Sequence, residues 1–597
     1  MITIPDKNRR YIQGTDSDIL GNLFSTFNCD FKQNKGALRL GRRLVLNTAT
    51  ADLTQLNSYP VGFKYFNNGS STSVYTAAGS ANTGYAFSAL TPDGGFGRVV
   101  TAGSPATVDS TTSDIEVGFG ELYISSASDA KVYYLNSSNV WGNLNAGSAG
   151  NVMMMCYFNY QNRMYVTKGG YQIQSWDSSH TVASPAATYT LSLATTEIIT
   201  FIKASNNRIW IGTVNVYGGR GYVYSWDGST STGPQATYKL DTAGALACVI
   251  DGDVPYIIDT NGRLLHFNGG TFVATAGFNR KNDKQLYNAA YSLNKRFIHP
   301  NGMAIIEGEI NVLADLTNND VAAHGGTQED CNPSGVWEYS RTNKDLKHKT
   351  SFTLTKSGGT INDFGQVRIF GAGGLAEAIV TSSVNNGSYL AGCSYYTDAT
   401  TTTSGIFYDD LNDTLAKCGS YVSARLFSVR VLKDIWHRLY ALHLKFLNAS
   451  DKIVVKWRST IDIPTEVTIT WLSSTAFYTS TDLTPYMTIG TDGLYGEVDV
   501  IQGLGSGKCS HITNIQKRAT DWLVQVDETY TGATGTSKAR LSKWIKAGTI
   551  QDVLDYDSVQ LGLKNGIQIQ VKLWMSWTGQ NELISTVITN APTAQYQ

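Results

Sequence analysis

The sequence predicts an all-β protein, in which a β-propeller of about six or seven blades is followed by a C-terminal β-sandwich that carries a small inserted β-module. A pattern of two short strands recurs with the period that is typical of propeller blades. The composition favours strands and turns, with 58 Gly and 33 Tyr in 597 residues and only 16% charged residues. Beyond about residue 411 the repeat gives way to longer alternating strands.

The repeat is clearest between residues 117 and 272. Each copy opens with a strand, interpreted here as the inner strand of a blade, and continues to a strand that ends in Asn or Asp followed by Gly or Ser. Equivalent positions lie roughly 41 to 50 residues apart, so several radially packed copies would form one core. An irregular β-sandwich with chance similarities among tyrosine-rich strands is the alternative. The opening strands carry Tyr123, Tyr165, Trp210 and Tyr256, and the closing strands carry Leu135, Trp176, Trp226 and Phe267.

The propeller is predicted over residues 59–410. Outside the four clear copies, a first blade is expected at 61–75, a sixth at 303–339, and a seventh with strands at 366–370 and 378–380. The long connection at 314–334 is predicted to be an insertion on one face, where loops of a rigid scaffold make contacts.

Charge and composition limit the partners that the chain is expected to bind. There are 47 basic and 48 acidic residues, a formal net charge of −1. This balance gives no reason to expect sequence-specific nucleic acid or an anionic membrane. No apolar run is long enough to insert into a bilayer and no signal peptide is recognised, so we expect folding in a cytoplasm. The seven scattered cysteines are expected to be reduced and mostly buried.

Residues 1–58 do not fit the blade pattern and are predicted to form an extended arm, which lies against a partner subunit or closes the propeller. Lys7, Arg9 and Arg10 form a basic cluster that we interpret as a solvated or interface surface rather than a phosphate site.

The arm also carries a resemblance. Residues Asn28 to Phe31 and Gly36 to Arg43, followed by propeller-like repeats, resemble the opening of tail proteins of tailed bacteriophages. Where the family phrase often has Pro-Gly, this chain has Leu40-Gly41. The resemblance implies a hub, nozzle or tail-tip subunit of the virion, without cofactor, assembled in the host cytoplasm. The expected partners are other tail or connector proteins, further copies of the chain in a homo-oligomeric ring, and a host surface glycan.

Residues 411–597 are predicted to form the sandwich. Strands at 438–446 and 453–457, separated by the polar residues 448–451, are expected to pair as a hairpin. The strand at 567–575 has one wholly apolar face, which should cover a second core. Residues 466–548 are interpreted as the inserted module. A short helix within 426–439 is an alternative, because apolar residues there also recur at three- and four-residue steps.

No motif in the sequence supports a cofactor or a metal. The stretch Gly503–Cys509 resembles a phosphate-binding loop, but Gln502 stands where the first glycine is needed and Cys509 follows Lys508. A flexible hairpin turn explains its glycines better. The eight histidines form no ligand pair or Cys/His cluster, and His437 and His443 are expected to pack or to meet solvent.

Catalytic carboxylates are not predicted either. The pairs Asp409-Asp410, Glu329-Asp330 and Asp527-Glu528 are adjacent in sequence, so on a strand they would point to opposite faces. Ser225-Trp226-Asp227-Gly228 only partly matches the Asp box of sialidases, and we interpret it as a turn. We therefore predict no catalytic, cofactor-binding or metal-binding residues.

Two functions are carried forward. The first is a non-enzymatic structural protein of a phage tail that acts through subunit interfaces in tail assembly and host attachment. The second is a tail protein that binds or cleaves a carbohydrate receptor on a propeller face, which would make it a glycoside hydrolase in the cleaving case. Most aromatic residues lie at alternating strand positions that cross-strand packing explains, so the sequence singles out no sugar platform.

Overall fold

The computed structural model is all-β, and its strands are arranged as a β-propeller followed by further sheets. The described part of the chain contains one single-turn 3₁₀ helix, Asn159–Gln161, and no α-helix. The structure describes residues 2–4, 23–27, 29–30, 38–40, 43–47, 56, 58–80, 83–89, 95–99, 113–146, 152–184, 188–229, 233–278, 298–315, 335–341, 344–353, 369–378, 388–396, 402–409, 418–423, 426–427, 434–443, 451–458, 465–471, 476–479, 498–501, 512–517, 522–526, 535–541, 545–551, 556–566, 568–576 and 582–592.

Short strands come first in the chain and pair with elements far along it. Strands β1 to β4 join the two C-terminal sheets, whereas β5 joins the propeller. Their bounds are Ile2–Ile4 (β1), Leu23–Phe27 (β2), Cys29–Asp30 (β3), Leu38–Leu40 (β4) and Arg43–Leu46 (β5).

Five antiparallel four-stranded sheets follow, each with its strands in chain order. Sheet 1 contains Phe63–Asn67 (β6), Thr72–Ser80 (β7), Thr83–Ala89 (β8) and Gly97–Arg98 (β9). Sheet 2 contains Ile115–Gly118 (β10), Glu121–Ser126 (β11), Lys131–Leu135 (β12) and Trp141–Leu144 (β13). Sheet 3 contains Met155–Phe158 (β14), Arg163–Lys168 (β15), Gln172–Trp176 (β16) and Leu191–Ser192 (β17). Sheet 4 contains Glu197–Ala204 (β18), Ile209–Asn215 (β19), Tyr222–Trp226 (β20) and Ala236–Lys239 (β21). Sheet 5 contains Ala245–Asp251 (β22), Val254–Asp259 (β23), Arg263–Phe267 (β24) and Phe272–Gly277 (β25).

Two further sheets share the N-terminal strand β5. It runs parallel to the end of β29 and antiparallel to β32, so it joins sheets 6 and 7 edge to edge. Sheet 6 contains Met303–Ile306 (β26), Glu309–Ala314 (β27), Gly335–Ser340 (β28) and Asp345–Thr353 (β29). Sheet 7 contains Ile369–Ala378 (β30), Ser388–Tyr396 (β31), Thr402–Asp409 (β32) and β5.

The first strand of each of these sheets lies beside the first strand of the next. Contacts run from β6 to β10, β14, β18, β22, β26 and β30 in turn, and β30 contacts β6. The sheets therefore radiate from a common axis that their first strands line. Both faces of each sheet are covered by neighbours, which explains why second strands such as β11 are buried along almost their whole length.

The aromatic residues of the sequence repeat connect one sheet to the next. Each lies on a second strand and packs against the third strand of the following sheet. The prediction that these strands are innermost was wrong, because a short apolar strand such as β10 precedes each of them. The ring centroids are 5.7 Å apart for Tyr123 and Trp176, 5.3 Å for Tyr165 and Trp226, 5.0 Å for Trp210 and Phe267, and 6.1 Å for Tyr256 and Tyr339.

The Asn and Asp residues that follow the third strands form turns, as the sequence predicts. In each turn the side-chain oxygen accepts a hydrogen bond from the backbone N–H two residues later, which is the geometry of an Asx turn. The Oδ1 acceptors belong to Asn136, Asp177, Asp227 and Asn268, with N···O distances of 3.0, 3.0, 2.9 and 3.1 Å.

The contact between sheets 7 and 1 depends on glycine. The backbone N–H of Gly374 donates to the carbonyl of Pro60 at 2.9 Å, and a Cβ at Gly374 would lie 2.3 Å from the Cα of Gly62. We expect Gly374→Ala to lower the free energy of unfolding by about 1–3 kcal/mol, because two backbones would have to separate. Urea denaturation measures this change.

The matched control is Gly97→Ala in β9, where an added Cβ meets nothing within 4 Å. This substitution should change the free energy of unfolding by less than about 0.5 kcal/mol. Equal losses in the two variants would show that the close approach at Gly374 does not limit the packing of sheets 7 and 1.

The remaining strands of the described residues form three sheets. Sheet 8 has the order β2-β33-β45-β36-β43, and β34 also pairs with β45. Sheet 9 has the order β3-β4-β46-β35-β44, and β1 also pairs with β46. Sheet 10 has the order β39-β42-β37-β38-β41-β40. Strands β43 and β44 bring sheets 8 and 9 into contact. The bounds are Cys418–Ser423 (β33), Leu426–Phe427 (β34), Asp434–His443 (β35), Lys452–Arg458 (β36), Thr465–Trp471 (β37), Ala476–Thr479 (β38), Val498–Ile501 (β39), Ile512–Lys517 (β40), Trp522–Val526 (β41), Gly535–Leu541 (β42), Ile545–Ile550 (β43), Tyr556–Gly566 (β44), Gln568–Ser576 (β45) and Glu582–Pro592 (β46).

One expectation about this region was wrong. Strands β35 and β36 do not form a hairpin, because β35 pairs with β44 and β46 whereas β36 pairs with β43 and β45. Polar residues between two strands predict a change of direction, but they do not determine which neighbours each strand takes. Within 426–439, where a short helix was the alternative, residues 426–427 and 434–439 lie in β34 and β35, and residues 428–433 lie outside the described residues.

Strand β45 is buried on both faces rather than on one. Ile569, Val571 and Leu573 point to the apolar side, as predicted, but Gln570 and Lys572 are buried as well. Lys456 of β36 is the direct cross-strand neighbour of Lys572 and is also buried. The alternation of apolar and polar residues therefore predicted the apolar face of the strand, but it did not predict that the polar face is buried as well.

Candidate functional site

Several polar side chains meet at the axis of the propeller, where first strands from different sheets converge. Asp114 immediately precedes β10 and is buried. Its Oδ1 accepts the N–H of Ile115 at 2.7 Å, and its Oδ2 accepts the N–H of Met155 in β14 at 2.8 Å. One carboxylate therefore joins sheets 2 and 3.

Asn301, just before β26, extends this contact to other sheets. Its Nδ2 donates to Asp114 Oδ1 and to the carbonyl of Val61 at 3.0 Å. Its Oδ1 accepts from Nζ of Lys203 in β18 at 2.6 Å, and its backbone carbonyl accepts the N–H of Leu375 in β30 at 2.8 Å. Asn301 thus contacts residues that belong to or adjoin sheets 1, 2, 4 and 7.

A second ion pair joins sheets 1 and 2. Nζ of Lys64 in β6 lies 2.8 Å from Oε1 of Glu116 in β10, which also accepts the N–H of Val117 at 2.9 Å. We call the set Lys64, Asp114, Glu116, Lys203 and Asn301 the axial cluster. It contains two basic and two acidic groups, so its formal charge is balanced.

Burial and pairing shift the pKa values of the axial cluster. Burial raises the pKa of Asp114, while the charge of Lys203 and the hydrogen bonds from Met155 and Asn301 oppose that rise. Burial disfavours the charged form of Lys64, but Glu116 and Asp114 leave its pKa above the usual value. Burial also raises the pKa of the nearby Cys156 thiol, which is consequently protonated at neutral pH and a poor nucleophile.

The chemistry that this arrangement supports is cross-linking. Each charged group of the axial cluster makes a hydrogen bond or ion pair with a neighbour. Among the described residues, no group of three or more His, Cys, Asp or Glu side chains is placed to hold a metal ion. The axial cluster joins first strands that are otherwise distant in sequence.

The other motifs considered in the sequence lie elsewhere. Asp177 and Asp227 are in Asx turns, and hydrogen bonds from Ser179 and Ser229 lower their pKa values against the opposing effect of burial. Asp409 is buried at the end of β32. His437 and His443 lie in β35. The stretch Gly503–Cys509, Glu329-Asp330, Asp410 and Asp527-Glu528 lie outside the described residues.

Sequence reasoning did not find the axial cluster, although one signal was available. The first strands are mostly apolar, and several contain a charged residue between two apolar ones. Examples are Lys64 in β6, Glu116 in β10 and Lys203 in β18. In these three strands that charged residue belongs to the axial cluster. Asp114 and Asn301 are loop residues 187 positions apart, and no repeat relates them.

We expect Asp114→Ala to lower the free energy of unfolding by about 2–3 kcal/mol, because two buried N–H groups would lose their acceptor and Lys203 its counter-charge. Thermal and urea denaturation measure the loss. As a control, Asp253→Ala removes a carboxylate that accepts two hydrogen bonds from Asn206 on the surface, and it should cost less than about 1 kcal/mol. A loss at Asp114 no larger than at Asp253 would contradict the cross-linking role.

Comparison with known proteins agrees with the fold alone. No protein-family model matches the sequence, and no curated protein is significantly similar to it. Similar solved structures include virginiamycin B lyase from Staphylococcus aureus, with 10% identity, a TM-score of 0.37, and coverage of 60% of this chain and 96% of the lyase. The Swd1 β-propeller domain from Myceliophteria thermophila has 9% identity and a TM-score of 0.35, covering 59% of this chain and 97% of that domain. The designed protein Ika8 has 10% identity and a TM-score of 0.34, covering 62% of this chain and 100% of Ika8.

The description of the chain as an all-β protein with a β-propeller rests on its own strand order and contacts, and these similarities carry no argument. In the described part of the chain, no helix has both the length and the hydropathy needed to cross a membrane.

Proposed function

We propose that this chain is a non-enzymatic structural protein of a bacteriophage tail, acting through subunit interfaces in tail assembly and host attachment. In this proposal it is a hub, nozzle or tail-tip component of the virion, and copies of it form a homo-oligomeric ring with other tail or connector proteins as neighbours. Head-to-tail contacts related by rotation would close such a ring.

The proposal also includes a finer description of the fold. We infer a seven-bladed propeller over residues 59–410, with β5 as the outer strand of the seventh blade. We further infer that sheets 8 and 9 form a β-sandwich and that sheet 10 is the inserted module. The order of contacts among first strands and the pairing of sheet 10 only within residues 465–541 of the described chain support these inferences.

The observation that carries the structural role is the path of the N-terminal segment. Strand β5 pairs with β29 and β32 of the propeller, whereas β1 and β4 pair with β46 and β2 pairs with β33. One segment therefore contributes strands to both halves of the chain. Such interleaving resists separation of the two halves under load, which suits a scaffold. The paired charges of the axial cluster add support, because they hold the sheets together at the axis.

Electron microscopy of the purified full-length chain tests the proposal. The expected result is a ring of copies in the images. In a separate centrifugation experiment, the tagged chain should co-sediment with tail particles. In parallel, the chain is incubated with host surface polysaccharide and the products are separated by size. Monomeric protein that releases oligosaccharides would overturn the structural role in favour of a glycan-cleaving tail protein.

A further inference from the structure

One hairpin tip on the propeller carries an aromatic ring that contributes little to its own fold. Tyr160 lies between β14 and β15, and 66% of its surface is exposed. The corresponding tips of sheets 5 and 6 contain Gly252 and Gly308, so a turn at this place in a sheet does not require an aromatic residue. The ring of Tyr160 is available to a ligand.

The hairpin tip holds this ring in a defined position. Asn162 adopts a left-handed backbone conformation, and its N–H donates to the carbonyl of Asn159 at 3.0 Å. The hydroxyl of Tyr157 donates to Oδ1 of Asn162 at 2.7 Å. The Tyr160 ring also lies 5.8 Å from the buried ring of Phe158. A ring fixed in this way loses little entropy when a ligand binds.

Polar groups of the next sheet contact the hairpin tip that carries Tyr160. Nε2 of Gln161 donates to the backbone carbonyl of Asp227 at 3.2 Å, which connects the tip to the Asx turn of sheet 4. Oε1 of Gln235 accepts the backbone N–H of Asp227 at 2.6 Å, so its amide N–H groups point away from that bond. Ser229 donates twice to Oδ1 of Asp227, and only part of the carboxylate's capacity to accept hydrogen bonds is used by these two contacts.

We propose that Tyr160, Gln161, Asp227 and Gln235 form a binding site for a neutral sugar, with the pyranose ring stacked on Tyr160. The apolar C–H face of a pyranose matches one exposed aromatic ring, and its hydroxyl groups match a border of amides and a carboxylate. We call this set the Tyr160 site. The inference goes beyond the structural role and does not depend on it.

Other ligand classes fit the Tyr160 site less well. A protein partner needs a broad contact surface, but the large apolar residues exposed in the described chain are spread over different sheets, such as Tyr217 in sheet 4 and Val254 in sheet 5. Nucleic acid and acidic sugars carry negative charge, which the carboxylate of Asp227 would repel. The pKa of that carboxyl is below its usual value, because the hydrogen bonds from Ser229 and Gln235 outweigh the opposing effect of burial.

Saturation-transfer NMR on the full-length chain tests the site with the methyl pyranosides of glucose, galactose, mannose and N-acetylglucosamine. At least one should receive saturation, with Tyr160→Ala weakening its binding by about tenfold or more and Tyr160→Trp retaining it. The control is Tyr217→Ala, which removes another exposed tyrosine, 81% accessible, and should leave binding unchanged. Unchanged melting temperatures would show that each variant is folded.

A charge variant checks the stated specificity. Asp227→Asn keeps an Asx-turn acceptor, and it should improve binding of methyl glucuronide relative to the neutral sugars. The proposal is overturned if the unmodified chain binds none of the four neutral pyranosides, or if Tyr160→Ala and Tyr217→Ala bind them equally well. Neither result would affect the electron-microscopy test of whether copies of the chain form a homo-oligomeric ring.

Discussion

Replacing Trp226 with alanine should lower the free energy of unfolding by about 3–5 kcal/mol, the range for removing a fully buried aromatic side chain. Trp226 is inaccessible to solvent and packs edge-on against Tyr165 of the preceding sheet. The substitution would open a cavity between sheets 3 and 4, where radial packing leaves no other element to fill it. Equilibrium denaturation in urea, monitored by circular dichroism, measures the loss.

Two further variants separate packing from general sensitivity to mutation. Trp226→Phe keeps a ring beside Tyr165 and should cost less than the alanine variant. Tyr217→Ala, in the exposed hairpin of the same sheet, should change the free energy of unfolding by less than about 0.5 kcal/mol. If Trp226→Ala proved no more costly than Tyr217→Ala, the contact between sheets 3 and 4 would not depend on the aromatic repeat.

The aromatic repeat also shows how far the sequence could predict the fold. Aromatic residues recur at the positions of Tyr165 and Trp226 because such pairs join one sheet to the next. Their spacing in the sequence therefore predicts the repeat of sheets around the axis. The Asx turn at Asp227 was predictable because a side-chain oxygen two residues before a free N–H favours that turn. In the four clear copies of the repeat the first strands were not recognised; β10, for example, is only four residues long and carries no repeated aromatic residue.

Long-range pairing limited the prediction elsewhere. Arg43–Leu46 contains a short apolar run that would suit many sheet edges, and nothing local indicates that it lies between β29 and β32. The same limit explains the false hairpin of β35 and β36. Alternation identifies the buried face of a strand, but the choice of partner depends on the other sheet edges that are available in the folded chain.

Neither candidate site has a local sequence motif. The axial cluster combines loop and strand residues, and Asp114 meets Asn301 only after the first strands are in place. At the Tyr160 site, Gln161 of sheet 3 contacts Asp227 of the adjacent sheet 4. The sequence could identify the turn at Asp227 and the aromatic residue at Tyr160. Their proximity comes from the contact between one hairpin tip and the next sheet's Asx turn.

The second large effect is expected at a buried ion pair in sheet 6. Nζ of Lys349 lies 2.5 Å from Oε2 of Glu338 and 3.5 Å from Oε2 of Glu307, and only 6% of the Lys349 side chain is exposed. Replacing Lys349 with alanine would leave the carboxylate of Glu338 buried without its nearest counter-charge. We expect a loss of about 3–5 kcal/mol in the free energy of unfolding, measured by urea denaturation at neutral pH.

A double variant and a pH series show whether charge causes this loss. Lys349→Met combined with Glu338→Leu removes both charges, so it should recover much of the stability that Lys349→Ala loses. Burial opposes the charge of Lys349, but Tyr389 and the carboxylates of Glu338 and Glu307 raise its pKa above the ordinary value of 10.5. A raised lysine pKa contributes stability that is complete below the unfolded value and is lost as the pH rises through the folded one. The contribution of Lys349 should therefore stay constant from neutral pH to about 10 and decline only above that range. A double variant as unstable as Lys349→Ala would contradict this account, because it would show that an unpaired charge on Glu338 does not cause the loss.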